Sequence, residues 1–175
     1  MKKIKSKFKD LFIIQTTVFK DKRGWLKEEF KKKFVNKELI FTVVSKSRKN
    51  VLRGLHMQTK NPQDKFLSVV KGRILDVAVD LRKKSKTYGK HFKVILSEKN
   101  GKHLFIPKGF AHGILGLEKE NILHYACSNY RDPKSEVSIK WNDPDLKIDW
   151  GTKNPIISKK DKFALPFKNF RENIK

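Results

Sequence analysis

A chain of 175 residues is ordinary for one domain and long enough to bury a core, so a single domain over residues 1–175 is expected. The formal net charge is +24, but lysine outnumbers arginine 35 to 7. These cations are scattered end to end without a helix-turn-helix, zinc-finger or RNA-recognition signature, which argues against nucleic acid as the partner and leaves a small anionic substrate compatible with the field. No run approaches the roughly 18 apolar residues of a membrane span, no signal-peptide pattern opens the chain, and the lone Cys127 excludes an internal disulfide and a CxxC metal site; a cytoplasmic protein without membrane contact is expected.

Short β-rich runs then follow one another. The first is DLFIIQTTVF (10–19). WLKEEFKKKF (25–34) has apolar residues at 25, 26, 30 and 34 and predicts a short helix. Strands are predicted for IFTVVSKS (40–47), NVLRGLHMQ (50–58), KFLSVVKG (65–72), RILDVAVDLR (73–82), KHFKVILSE (90–98), KHLFIPKG (102–109), HGILGL (112–117) and NILHYACSNY (121–130). The intervening DKRG, KNPQD, KKSKTYGK, EKNGK and RDPKSE supply turn residues. After Pro133 the chain is polar and irregular, consistent with a few turns or a short helix. The spacing is that of an all-β sandwich or barrel.

Two strands carry polar residues in unexpected places. In NVLRGLHMQ, alternation sends Leu55 and Met57 one way and Gly54, His56 and Gln58 the other. Arg53 falls on the apolar parity, yet a bulge at Gly54 would turn it toward the cavity that His56 faces. In RILDVAVDLR, Leu75, Val77, Val79 and Leu81 fill one face, and Asp76, Ala78 and Asp80 the other. Asp76 therefore lies either on an exposed sheet face or in a polar barrel interior.

IPKGFAHG places Pro107, Gly109 and His112 in the P-x-G-x-x-H arrangement of the second cupin motif, where a turn leads into a strand bearing an inward histidine. The first motif of metal-binding cupins has an H-x-H pair, whereas this chain has His56-Met57-Gln58. With one imidazole missing, a metal-free barrel using histidine for acid/base work is the better reading.

Five segments in order, VFKDKRGWLKEEF (18–30), NVLRGLHMQ, GRILDVAVDLR (72–82), LFIPKGFAHGILGL (104–117) and WNDPDLKIDW (141–150), resemble the dTDP-4-keto-6-deoxyglucose 3,5-epimerase family, the rhamnose-pathway epimerases. The resemblance implies a jelly-roll cupin barrel, a homodimer whose sites borrow residues from the partner subunit, and no metal or organic cofactor. It implies His56 as the base, oriented by Asp161, with Lys65 beside the enolate oxygen and Tyr125 as the acid on the opposite face. Arg53 and Arg23 match the arginines that grip the diphosphate. Phe19 and Glu28 match positions near the nucleotide, contributed by the other subunit. Gln58, His112 and Asp76 complete the substrate-binding set. The chemistry asks for these groups: a ketone at C4 acidifies the protons at C3 and C5, and inversion needs a base on one face, an acid on the other and a positive charge at the enolate oxygen.

The chain departs from this family ahead of NVLRGLH, where a glutamine and an asparagine that help hold thymine are replaced by Phe41 and Val43. The departure points to a different nucleotide, and the resemblance to GDP-heptose branches among related capsule-pathway epimerases implies GDP before dTDP, carrying a 4-keto-6-deoxyhexose or 4-keto-heptose destined for a surface polysaccharide. A 3,4-ketoisomerase on the same barrel and a non-catalytic sugar- or nucleic-acid-binding barrel are the alternatives.

Overall fold

In a computed structural model, which describes residues 1–173, thirteen strands and two short helices form a jelly-roll barrel. The strands are β1 (Lys2–Lys5), β2 (Phe12–Gln15), β3 (Val18–Asp21), β4 (Gly24–Lys27), β5 (Phe41–Arg48), β6 (Leu52–Gln58) and β7 (Lys65–Lys71). They continue with β8 (Arg73–Asp80), β9 (His91–Ser97), β10 (Lys102–Ile106), β11 (Phe110–Gly116), β12 (Glu120–Cys127) and β13 (Glu136–Ser138). The helices are α1 (Lys159–Lys162) and α2 (Phe167–Asn173). One sheet runs β1-β2-β10-β7-β12-β5, the facing sheet runs β13-β6-β11-β8-β9, and β3-β4 is a separate hairpin.

The main core lies between the sheets. Leu67, Val69, Leu104 and Leu123 from one meet Ile74, Ala78, Leu96 and Ile114 from the other. Val77, Val79 and Leu81 share a face, as their alternation requires, but it is the outer face of the five-stranded sheet. The polar C-terminal segment folds back over it with Leu146, Trp150, Phe167 and Phe170. Each such side chain contributes about 1.5–3 kcal/mol on full burial, enough to hold an otherwise irregular tail. Asp76 points the other way, into the barrel, and is 0% exposed.

Two local expectations are corrected. Residues 25–34 do not form a helix: Gly24–Lys27 pairs with Val18–Asp21 across the turn set by DKRG, and Phe30 packs edge-on against Phe66 of β7. The apolar spacing there served a hairpin and an anchor, not a helical stripe. DLFIIQTTVF is two strands in different sheets, interrupted at buried Thr16, whose amide donates to Gly101 O. The lysine-rich start forms β1, an exposed edge strand paired with β2; lysines suit such an edge because they discourage further strand addition.

Candidate active site

The bulge expected at Gly54 is present. In the β6–β11 ladder His56 opposes His112 and Arg53 opposes Ile114, so two residues of β6 face one of β11. Gly54 has φ +138°, and a Cβ there would sit 2.5 Å from Gly113 Cα. Only glycine allows the two backbones this approach. As a result Arg53 and His56 open onto the same cavity, of about 660 Å3. Gly109, with φ +88°, makes the turn into β11 that aims His112 at the same space.

His56 stands on the five-stranded sheet. Its Nε2 lies 2.5 Å from Asp161 Oδ1. Asp161 comes from α1, whose N-cap Ser158 accepts a hydrogen bond from the Asp161 amide. A bridge between Val51 and Ile156 brings this segment alongside the start of β6. Burial alone would raise the Asp161 carboxyl, but the hydrogen bond and charge of His56, with support from Ser158 and the Gly54 backbone, hold it below the usual carboxylate range.

Tyr125 reaches the cavity from β12, on the opposite sheet from His56. Burial pushes its phenol up to about 12, with the neighbouring Ser45 hydroxyl opposing part of the rise. Lys65 on β7 is the cross-strand partner of Cys127. Burial lowers the Lys65 ammonium and raises the Cys127 thiol. Among the described residues Lys65 has no ion-pair partner, so its amine is free to meet a ligand in the cavity. His112 Nε2 lies 3.0 Å from both oxygens of Asp76, and its ring meets Tyr125 edge-on at 6.3 Å. Asp76 is thus a buried orienting partner of His112 and does not itself line the cavity.

Arg53 donates from Nε to Ser47 Oγ at 3.0 Å and from Nη2 to Lys46 O at 3.2 Å, which fixes it at one end of the cavity. Gln58 lines the cavity, but its amide is engaged with the backbone of Asn61, Tyr130 and Asp132. Phe19, Arg23 and Glu28 do not reach this space within one chain. The Phe19 ring is on the exposed hairpin, Arg23 pairs with Asp21 at 2.6 Å, and Glu28 pairs with Lys31 at 2.7 Å.

Several lining residues escaped the sequence reading. Glu136 Oε1 lies 2.6 Å from Lys160 Nζ and its Oε2 lies 3.1 Å from Arg131 Nε. Burial would raise its carboxyl, but Lys160 and Arg131 hold it low. The segment RDPKSE shows only turn chemistry; Glu136 reaches the cavity because β13 pairs with β6 in the register Glu136↔Gln58. Gln63, in the loop before Lys65, also lines the wall. No group of three or more His, Cys, Asp or Glu side chains is arranged to hold a metal ion among the described residues. The arrangement offers a carboxylate-oriented imidazole on one wall, a protonated phenol on the other and a lone ammonium beside it. That set can move a proton from one face of a carbon acid to the other.

The chain is similar to known proteins over nearly its whole length. The family model described as dTDP-4-dehydrorhamnose 3,5-epimerase matches residues 5–169. A protein of that description from Methanothermobacter thermautotrophicus is 42% identical over 178 aligned residues, covering 97% of this chain and 95% of the relative. Its counterpart from Escherichia coli K12 is 41% identical, covering 92% and 91%. A solved structure from Legionella pneumophila, dTDP-6-deoxy-D-glucose-3,5-epimerase in complex with dTDP-4-keto-L-rhamnose, superposes with a TM-score of 0.93 at 36% identity, covering 99% of this chain and 96% of that one.

Proposed function

We propose, from the premise that this chain belongs to the dTDP-4-dehydrorhamnose 3,5-epimerase family, that it inverts C3, C5 or both of a nucleoside-diphosphate-linked 4-keto sugar. The single observation that carries this reading is the placement of His56 and Tyr125 on opposite sheets across one cavity. His56, held in orientation by Asp161, takes the proton from the carbon next to the ketone. The electron pair moves onto the carbonyl oxygen, where the Lys65 ammonium offsets the new charge. Tyr125, whose phenol burial pushes up to about 12, then delivers a proton to the other face. Arg53 holds the diphosphate.

The relatives named for dTDP sugars, one of them solved with dTDP-4-keto-L-rhamnose, favour dTDP as the carrier. Phe41 and Val43 on the cavity wall favour a second reading, in which GDP carries the sugar, a heptose included. A second copy of the chain supplies Phe19, Arg23 and Glu28, since the exposed hairpin that bears the first two and leads into Glu28 presents Phe19, Trp25 and Leu26 to solvent. The product serves as a deoxysugar or modified-heptose donor for a surface polysaccharide.

Proton NMR of the product tests this reading. Inverted configuration at C3 or C5 with the carbonyl still at C4 is expected. A carbonyl moved to C3 would make the protein a ketoisomerase, and unchanged sugars of both nucleotides would contradict the proposal.

A further inference from the structure

The hairpin that bears Phe19 and Arg23 is exposed at its tip and tied down at its root. Lys27, the last residue of β4, has a side chain only 2% exposed. Its Nζ donates to Val69 O at 2.7 Å and pairs with Glu29 Oε1 at 3.2 Å. Val69 lies where the β7–β12 ladder slips, between the pairs Leu123↔Val69 and Ile122↔Lys71. Glu29 Oε2 is buried 3.9 Å from His103 Nδ1. His103 points away from the barrel core that its neighbour Leu104 joins. Its ring lies 5.5 Å from that of Phe66, which Phe30 meets edge-on. The stretch 27–30 is thus held on β7 and β10 of its own chain, while Glu28 in its middle stays exposed and pairs with Lys31. His103 is a costly choice for this place. It is fully buried, and among the described residues neither ring nitrogen has a hydrogen-bond partner. A phenylalanine would pack on Phe66 without leaving two polar atoms unpaired. Burial pulls the imidazole down to about 4, with Glu29 and the Glu28 backbone opposing the fall and Lys27 adding to it. The groups that act on the ring therefore all belong to the stretch that carries Glu28.

Resting on the reading that a second copy's hairpin completes the site, we propose that Lys27 and His103 are positioning residues that set how Arg23 and Glu28 reach into the neighbour's cavity. Neither lines the cavity of its own chain; both act through the root of the hairpin. A root fixed by a buried ammonium and a carboxylate beside an imidazole presents Arg23 and Glu28 already ordered. Less freedom is then lost when the nucleotide end of the substrate binds. Proton transfer at the sugar ring does not pass through this contact, so loss of the anchor appears in KM and not in kcat.

The test uses Lys27→Met, which keeps the length of the side chain without its ammonium, and His103→Phe, which keeps the packing on Phe66. Each should raise KM for dTDP-4-keto-6-deoxyglucose by about 3- to 10-fold, part of what one charge-assisted contact is worth, with kcat within about twofold. His103→Phe should melt no lower than the wild type, an outcome that a merely structural histidine would not give. Lys27→Met is then mixed with an excess of His56→Ala under conditions that exchange subunits. Nearly every intact His56 now receives a hairpin with an intact Lys27, and KM should return to the wild-type value. A wild-type KM in either variant, a His103→Phe protein that melts well below the wild type, or a raised KM of Lys27→Met that persists in the mixture overturns the proposal while the shared site stands. No activity on mixing Arg23→Ala with His56→Ala overturns the shared-site reading, and this inference with it.

Discussion

His56 Nε2 and Asp161 Oδ1 are 2.5 Å apart although 105 residues separate them in the chain. A strand histidine and the carboxylate of a four-residue helix meet because the C-terminal segment folds back along β6. Asp161→Asn keeps the shape but removes the carboxylate that orients the imidazole. A fall in kcat of about 10²-fold or more is predicted, at the scale of a lost acid/base contribution, with KM little changed. Steady-state kinetics check this; an unchanged kcat would remove Asp161 from the account.

Tyr125→Phe should separate two events that the wild type couples. The base still removes the proton and returns one from solvent on the same face, so deuterium enters the sugar while inversion is lost. Mass spectrometry paired with NMR of the recovered sugar distinguishes these, and normal inversion by the variant would contradict the role of the phenol.

The same phenol governs alkaline stability. Its folded value, raised from 10.0 to about 12, lies above the unfolded one, so its contribution is complete below pH 10 and is lost as pH rises toward about 12. On linkage grounds the loss is on the order of 2 kcal/mol. Denaturant unfolding of the wild type should show that loss across this window, and Tyr125→Phe should not.

Gly54→Ala should be costly. The new Cβ would meet Gly113 Cα at 2.5 Å in a backbone with φ +138°. Strain and overpacking together cost on the order of 3 kcal/mol, a fall in Tm of about 6–12 °C for a domain of this size. Calorimetry measures it; an unshifted Tm would mean that the bulge relaxes freely.

Much of the fold was legible because β alternation and turn residues dominate the chain. What misled was residues 25–34, where tertiary pairing with β3 overrode a helical spacing. The parity of NVLRGLHMQ, with its glycine, foretold the shared orientation of Arg53 and His56, since a bulge is a local event. Glu136, Lys160 and Gln63 were not legible: their place in the cavity depends on register between distant segments, which single-strand patterning does not encode. The burial of Asp76 was undecided for the same reason, since alternation states which residues share a face but not which face is covered.

The hairpin residues allow a test of the proposed homodimer. Arg23→Ala and His56→Ala proteins should each be poorly active alone. Mixed under conditions that exchange subunits, they should regain activity, because one class of site then combines an intact His56 with an intact Arg23 from its neighbour. No gain on mixing would place Arg23 outside the site.

The most direct measurement is deuterium incorporation during incubation in D2O with dTDP- and GDP-linked 4-keto sugars, located by NMR, for the wild type and His56→Ala. Deuterium at C3, C5 or both is predicted with the wild type, and its loss in the variant. Incorporation that survives in His56→Ala, or none with any of these sugars, would contradict proton abstraction by His56 as the reaction of this cavity.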